Sequence, residues 1–180
     1  MFVVVTGGSG SGKSEFSENL LLRMDEGKGG RFYLATMFPF DEESLRRIER
    51  HREMRKDKGF TTVECYTGLN SLLLPAVKGK KPSVLLECMS NLTANEFYQE
   101  GGAGVRTPEA VMEGIRNLRA QTDHLVVVSN EVFSDGVSYD ASTEAYKKAL
   151  GEINRRMAAE SDALIEVVYS IPVCHKGGLL

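Results

Sequence analysis

The stretch GGSGSGKS, residues 7–14, constrains this chain more than any other. It matches the pattern G-x-x-x-x-G-K-[ST], with Gly7, Gly12, Lys13 and Ser14 in the fixed places and Gly8, Ser9, Gly10 and Ser11 between them. An apolar, β-branched run, FVVVT (2–6), precedes it, and Phe16, Leu20, Leu21 and Met24 follow at helical spacing. A strand, a glycine-rich loop and a helix are thus predicted in succession, which is the setting the pattern requires. Glycines let consecutive backbone N–H groups turn inward around a phosphate, and the start of the helix adds its positive end. Lys13 is expected to reach the β and γ phosphates of a nucleoside triphosphate, and the Ser14 hydroxyl to ligate Mg2+.

The rest of the chain suits a fold built around such a loop. FYLAT (32–36), SVLLEC (83–88), HLVVVSN (124–130) and ALIEVVYS (163–170) are short runs apolar on both faces, as central strands of a parallel sheet are. Helical spacing recurs between them: Leu45, Ile48 and Met54 within 41–57, Val111, Ile115 and Leu118 within 107–120, and Ala145, Leu150, Ile153 and Met157 within 141–160. This alternation predicts a P-loop NTPase-like α/β fold, a mostly parallel, doubly wound sheet flanked by helices, with ligand loops at the carboxyl ends of the strands. A length of 180 residues fits one domain, expected to span 1–180. Glycine or charge concentrates in 26–31, 78–83, 99–109 and 176–180, the expected flexible places. Of these, 99–109 reads equally as a flap near the site or as a surface connection.

Composition excludes several classes. A net charge of −3 lacks the broad basic footprint of a nucleic-acid binder, so no nucleic-acid partner is expected. No apolar run is long enough to span a membrane, the first residues carry no basic leader, and a soluble cytoplasmic protein is predicted. Cys65, Cys88 and Cys174 are odd in number, far apart and outside any CxxC pair. They argue against disulfides and zinc, and each is expected to be a small buried residue.

A phosphate loop also needs an acidic group at the end of a neighbouring strand to hold the hydrated metal. Glu87, closing SVLLE, and Glu131, just after HLVVVSN, are the two candidates, with Ser14 and Glu87 the expected metal set. The same two glutamates are candidates for the base that takes the acceptor's proton. No N-K-x-D guanine-reading motif accompanies them.

The local basic island RRIERHREMR (46–55) places His51 among five arginines. On a helix, Arg47, His51 and Arg55 recur at i, i+4 and i+8 and share a face. Neighbouring guanidiniums push an imidazole toward its neutral, nucleophilic form and offer grips for the phosphates of a nucleotide under attack. His124 and His175 are expected to be structural or solvated.

In the order GGSGSGKS, YLATM (33–37), RIERHREMR (47–55), VEC (63–65), LLEC (85–88) and VVSNEV (127–132), with GEINRRMAAESD (151–162) near the end, the chain resembles the bifunctional adenosylcobinamide kinase and adenosylcobinamide-phosphate guanylyltransferase family of cobalamin biosynthesis. The resemblance covers nearly the whole chain, and R-I-x-x-H-R is its specific part. It implies a kinase step from ATP or GTP to the aminopropanol hydroxyl of adenosylcobinamide. A second step then moves GMP from GTP to that phosphate through a guanylylated histidine, here His51. It further implies that Thr36, Met37, Phe38, Arg52, Glu53, Met54, Arg55, Glu64 and Glu87 line the nucleotide site, and that copies assemble as a homotrimer.

The chain departs from the family pattern at Gly10, where an arginine is usual. It also departs at VFSDGVSYD (132–140), in place of G-x-G and V-P, and at Arg155 and the final SIPVCHKGG (170–178). Two other functions share the phosphate loop: a small-molecule kinase in which His51 and its arginines only bind phosphate, and a non-catalytic nucleotide sensor.

Overall fold

The computed structural model describes residues 1–25, 30–75, 77 and 79–178. Parts of the glycine- or charge-rich stretches 26–31, 78–83 and 176–180 lie outside the described residues. Seven strands form one sheet in the order β3-β2-β4-β5-β1-β6-β7. They are β1 (Phe2–Thr6), β2 (Arg31–Ala35), β3 (Phe60–Glu64), β4 (Ser83–Glu87), β5 (His124–Val128), β6 (Ala163–Val168) and β7 (Ile171–Lys176). Every pair is parallel except β6 with β7, which closes one edge as an antiparallel hairpin.

Helices cover both faces because the central strands are apolar on both. Val3, Val5, Val126, Val128 and Ile165 point toward α1 (Lys13–Met24), where Leu20 and Leu21 meet them fully buried. Their strand neighbours Phe2, Val4, Leu125 and Val127 face the other way. There they pack under α3 (Met89–Tyr98), α4 (Thr107–Gln121) and α5 (Ala141–Glu160) through Met89, Leu92, Ile115, Leu118, Leu150 and Ile153. This is the predicted doubly wound architecture, with the central strands and four of the helices where the periodicity puts them.

Strands β3 and β7 and helix α3 lie outside the expected elements, and three other expectations are refined. The helix α2 (Glu42–Arg55) begins at an Asp41–Ser44 capping box, but its apolar positions do not pack as a stripe: Leu45 and Met54 are exposed, and Arg55 is its one buried side chain among the described residues. Of residues 99–109, 99–106 form a surface connection in which the Glu96 carboxylate accepts the Ala103 N–H and 107–109 open α4, and none of the stretch lines the cavity described below. Cys65 and Cys88 are buried free thiols as expected, whereas Cys174 lies partly exposed on the outermost strand.

Candidate active site

The phosphate loop sits where the sequence places it, and Gly7 and Gly12 are required there. Gly12 carries φ +89 just before α1, and a Cβ on it would come within 2.5 Å of Ser170 Oγ. Gly7 has φ +154, and a Cβ there would lie 2.5 Å from the Val167 carbonyl oxygen. The hairpin turn between β6 and β7 thus presses on the loop, and Ser170 N–H donates to the Ser11 carbonyl (2.8 Å). Lys13 Nζ donates to the Gly8 carbonyl at 2.9 Å, folding the lysine back over the loop it serves.

Strand order brings Glu87 to the loop. It ends β4, one strand removed from β1, and its Oε1 accepts a hydrogen bond from Ser14 Oγ. Its other oxygen accepts from the Tyr33 hydroxyl at 3.2 Å. Behind it, Thr36 Oγ1 donates to the Cys88 carbonyl and accepts from the Cys88 N–H, and Asn95 Nδ2 donates to the Thr36 carbonyl. The Glu87–Cys88 peptide is cis. Asn130, from the loop after β5, donates to Ser90 Oγ at 2.6 Å and closes this corner. Burial lowers the pKa of Lys13, with Cys88 and Glu87 opposing the shift.

Above these groups runs α2, and between the helix and the loop lies a cavity of about 500 Å³. Arg47, His51 and Arg55 all line it, so the shared face predicted from their spacing is real. His51 is held below the ordinary imidazole pKa, chiefly by burial; Glu87 opposes, and Arg55, Arg50 and Arg47 add to the lowering. The expected arginine effect is therefore present but secondary to desolvation. The Arg55 guanidinium lies 3.3 Å from the centre of the Tyr33 ring, and Arg52 reaches across to Glu64 on β3 (3.0 Å).

Ser9 to Ser14, Met37, Arg52, Met54, Glu64 and Glu87 also line this cavity. Other residues expected at the site fall outside its walls. Gly7 and Gly8 shape the loop from behind, and Thr36 is fully buried on Cys88 and Asn95. Phe38 is partly exposed in an aromatic cluster with Phe40 and Tyr66. Glu53 pairs with Lys56 on the solvent side of α2. Glu131 lines the cavity, but its carboxylate is engaged in its own turn with Phe133 N–H and Ser134 Oγ. Tyr33 and Ser170 were not legible as site residues, since one reads as a strand core position and the other as the end of a strand.

A glycine loop between a strand and a helix, its lysine, and a serine paired with a strand-end glutamate, all on a mostly parallel sheet, define a P-loop nucleotide-binding protein. The KaiC-like protein PH0186 from Pyrococcus horikoshii OT3 shares the fold at a TM-score of 0.50 and 12% identity, over 92% of this chain and 69% of that one. The family model described as cobinamide kinase / cobinamide phosphate guanyltransferase matches residues 3–174, and the chain belongs to that family. Among its relatives are two named bifunctional adenosylcobalamin biosynthesis protein CobU. The one from Salmonella typhimurium is 29% identical over 96% of this chain and 98% of its own length. The Escherichia coli one is likewise 29% identical, with the same coverage of each.

Proposed function

We propose that the chain works as one cytoplasmic, magnesium-dependent transferase domain that phosphorylates the aminopropanol hydroxyl of adenosylcobinamide with ATP or GTP. It then guanylylates that phosphate through His51, giving adenosylcobinamide-GDP and pyrophosphate. The observation that supports both steps is the seat of His51 in one cavity with Lys13, Ser14 and Glu87. A kinase that only bound phosphate would have no use for a desolvated, neutral imidazole facing the loop.

In the first step the acceptor hydroxyl oxygen bonds to the γ phosphorus, its proton passes to one of the two candidate carboxylates, Glu87 or Glu131, and the bond to the β-phosphate oxygen breaks, with Lys13 neutralising charge on the departing diphosphate. In the second, a nitrogen of neutral His51 attacks the α phosphorus of GTP and pyrophosphate leaves. An oxygen of the acceptor's phosphate then attacks the same phosphorus, the P–N bond breaks, and His51 returns to its starting form. Arg47, Arg50 and Arg55 face the phosphates undergoing these exchanges.

The donor set suits Mg2+. Ser14 and Glu87 offer a hydroxyl and a carboxylate side by side. Among the described residues, no group of three or more His, Cys, Asp and Glu is placed to hold a metal without further ligands. A magnesium ion held by one or two protein oxygens leaves its other positions to water and phosphate, which is its usual mode in phosphoryl transfer. When bound, it neutralises charge on the phosphate oxygens.

No helix among the described residues is long and apolar enough to cross a membrane. Assembly as a homotrimer follows from the family resemblance alone.

The test is incubation of the purified protein with magnesium and GTP labelled at the α phosphate, followed by denaturation and peptide mapping, with His51→Ala alongside. Acid-labile label on the peptide containing His51, absent from the variant, is expected. Nucleotide binding without label would reduce the chain to a simple kinase.

A further inference from the structure

Tyr33 joins the two halves of this cavity. It lies in the middle of β2, only 3% exposed, so its ring is a fixed point of the sheet. The hydroxyl at one end donates to Glu87 Oε2, while Glu87 Oε1 is held by Ser14. The ring face carries the Arg55 guanidinium at 3.3 Å. Arg55 is itself 5% exposed, and its Nε and Nη1 have no hydrogen-bond partner. A buried guanidinium with two unpaired donors, lining a cavity one helical turn beyond His51, has a ligand still to meet.

We propose that Tyr33 is a positioning residue for both transfers: its hydroxyl orients the carboxylate of Glu87, and its ring holds Arg55 so that the free guanidinium edge meets the phosphate being transferred to or from His51. The His51 part of this rests on the function proposed above; the Glu87 part needs only a phosphate-loop enzyme.

Three observations support the assignment. The Tyr33 hydroxyl has no other polar partner among the described residues. A phenol facing a carboxylate is the donor of the pair. The α2 helix has little else to fix its inner face, since Arg55 is its one buried side chain among the described residues. A cation over an aromatic face is a directional contact, which a merely apolar neighbour would not supply. Finally, the Phe60 ring meets Tyr33 in a T-shaped contact, 6.5 Å between centroids, which limits its freedom to turn.

Two substitutions separate the two roles. Tyr33→Phe keeps the ring and removes the donor. The magnesium concentration for half-maximal phosphoryl transfer to adenosylcobinamide is expected to rise about three- to tenfold, the scale of one lost hydrogen bond of ordinary net strength. At saturating magnesium, formation of the His51 label should return to within about twofold of the parent rate. Tyr33→Leu removes the ring as well, and label formation is expected to stay about tenfold or more below the parent at any magnesium concentration. Arg55→Gln reads the same contact from the other side in a variant that leaves the sheet untouched, and should reproduce that magnesium-independent loss.

An unchanged magnesium requirement in Tyr33→Phe overturns the Glu87 role. Equal labelling in parent and Arg55→Gln overturns the Arg55 role, whether or not Tyr33→Leu folds. Absence of label on the parent itself is the distinct failure of the guanylyl-histidine reading; it removes the Arg55 role with it, and the magnesium titration of Tyr33→Phe still decides the other.

Discussion

Ser14 Oγ donates a hydrogen bond to Glu87 Oε1 across 73 residues of sequence, tying the first turn of α1 to the end of β4. The pair exists because the sheet order sets β4 beside β5 and β5 beside β1, so that both residues emerge at the same carboxyl edge. A carboxylate and a hydroxyl at that position have a clear use in holding a hydrated cation against a nucleotide.

Glu87→Gln should therefore keep the fold, since the amide oxygen still accepts from one of Ser14 and Tyr33 and the amide NH2 can donate to the other hydroxyl, and lose the negative charge. Phosphoryl transfer is expected to fall by about a hundredfold or more, the scale seen when a transition-state electrostatic contact is removed. Steady-state rates across a magnesium titration check this. Full activity at any magnesium concentration would show that Glu87 is only a hydrogen-bonding anchor.

A second prediction concerns stability. Glu18 on α1 is 2% exposed and pairs with Lys58, which follows α2. Burial raises the pKa of Glu18, and the Lys58 contact lowers it in part. Lys58→Met strands the carboxylate. A fully buried pair broken in this way costs about 3–5 kcal/mol, and the partial exposure of Lys58 brings the expected loss to about 2 kcal/mol at pH 7. Because the folded-state pKa of Glu18 lies above the unfolded value, acidification protonates it first in the folded protein. The penalty should shrink as pH falls through that folded value. Urea denaturation of parent and variant at pH 7 and pH 5 measures the gap, which should narrow at the lower pH.

How much of this was legible in the sequence follows from where each signal lies. The central strands announce themselves because burial on both faces demands unbroken apolar runs, as in FVVVT and HLVVV. Strand β3, FTTVE, sits at the sheet edge with Thr61 and Thr62 exposed, so it carries no such run. Strand β7 holds Pro172, tolerated only because an edge strand need not donate on both sides. Helix α3 hides for the opposite reason: it buries Ser90, Asn95 and Glu96 in hydrogen bonds to loops, and Thr93 beside them, which erases the amphipathic pattern. The phosphate loop and the face shared by Arg47, His51 and Arg55 depend on local spacing and could be read directly. Tyr33 and Ser170 serve the site through strand order and a hairpin turn, and no local pattern reports those.

Gly114 supplies a third prediction, where helix propensity and packing oppose each other. It lies within α4, and a Cβ there would stand 2.7 Å from the side chain of Leu69, which is itself 1% exposed. Alanine would strengthen the helix by about 1 kcal/mol. Overpacking of a closed core costs about 1–3 kcal/mol, and Leu69 is held by Asn117 bonding its carbonyl and that of Leu72. Gly114→Ala should therefore lower stability by about 1 kcal/mol net, seen as a reduced urea midpoint with an unchanged slope. A raised midpoint would mean that the loop carrying Leu69 shifts aside at little cost.

The last prediction is the pH dependence of guanylylation. An imidazole ordinarily titrates near 6.5, and an attacking histidine must be neutral. His51 is lowered from that value by burial first, with Arg55, Arg50 and Arg47 adding to the effect and Glu87 opposing it. The sign follows directly: at pH 6.5 more than half of His51 in the free protein is already neutral. The rate of label formation should therefore still exceed half its maximum at pH 6.5 and reach the half-point only at lower pH. Arg47→Gln and Arg50→Gln together remove two of the groups favouring the neutral form, so the half-point should move upward, toward the ordinary imidazole value. Single-turnover labelling from α-labelled GTP between pH 5 and 8 reads both. A parent half-point at or above 6.5 would place His51 in a solvated setting and deny it the desolvation that the cavity between α2 and the phosphate loop imposes.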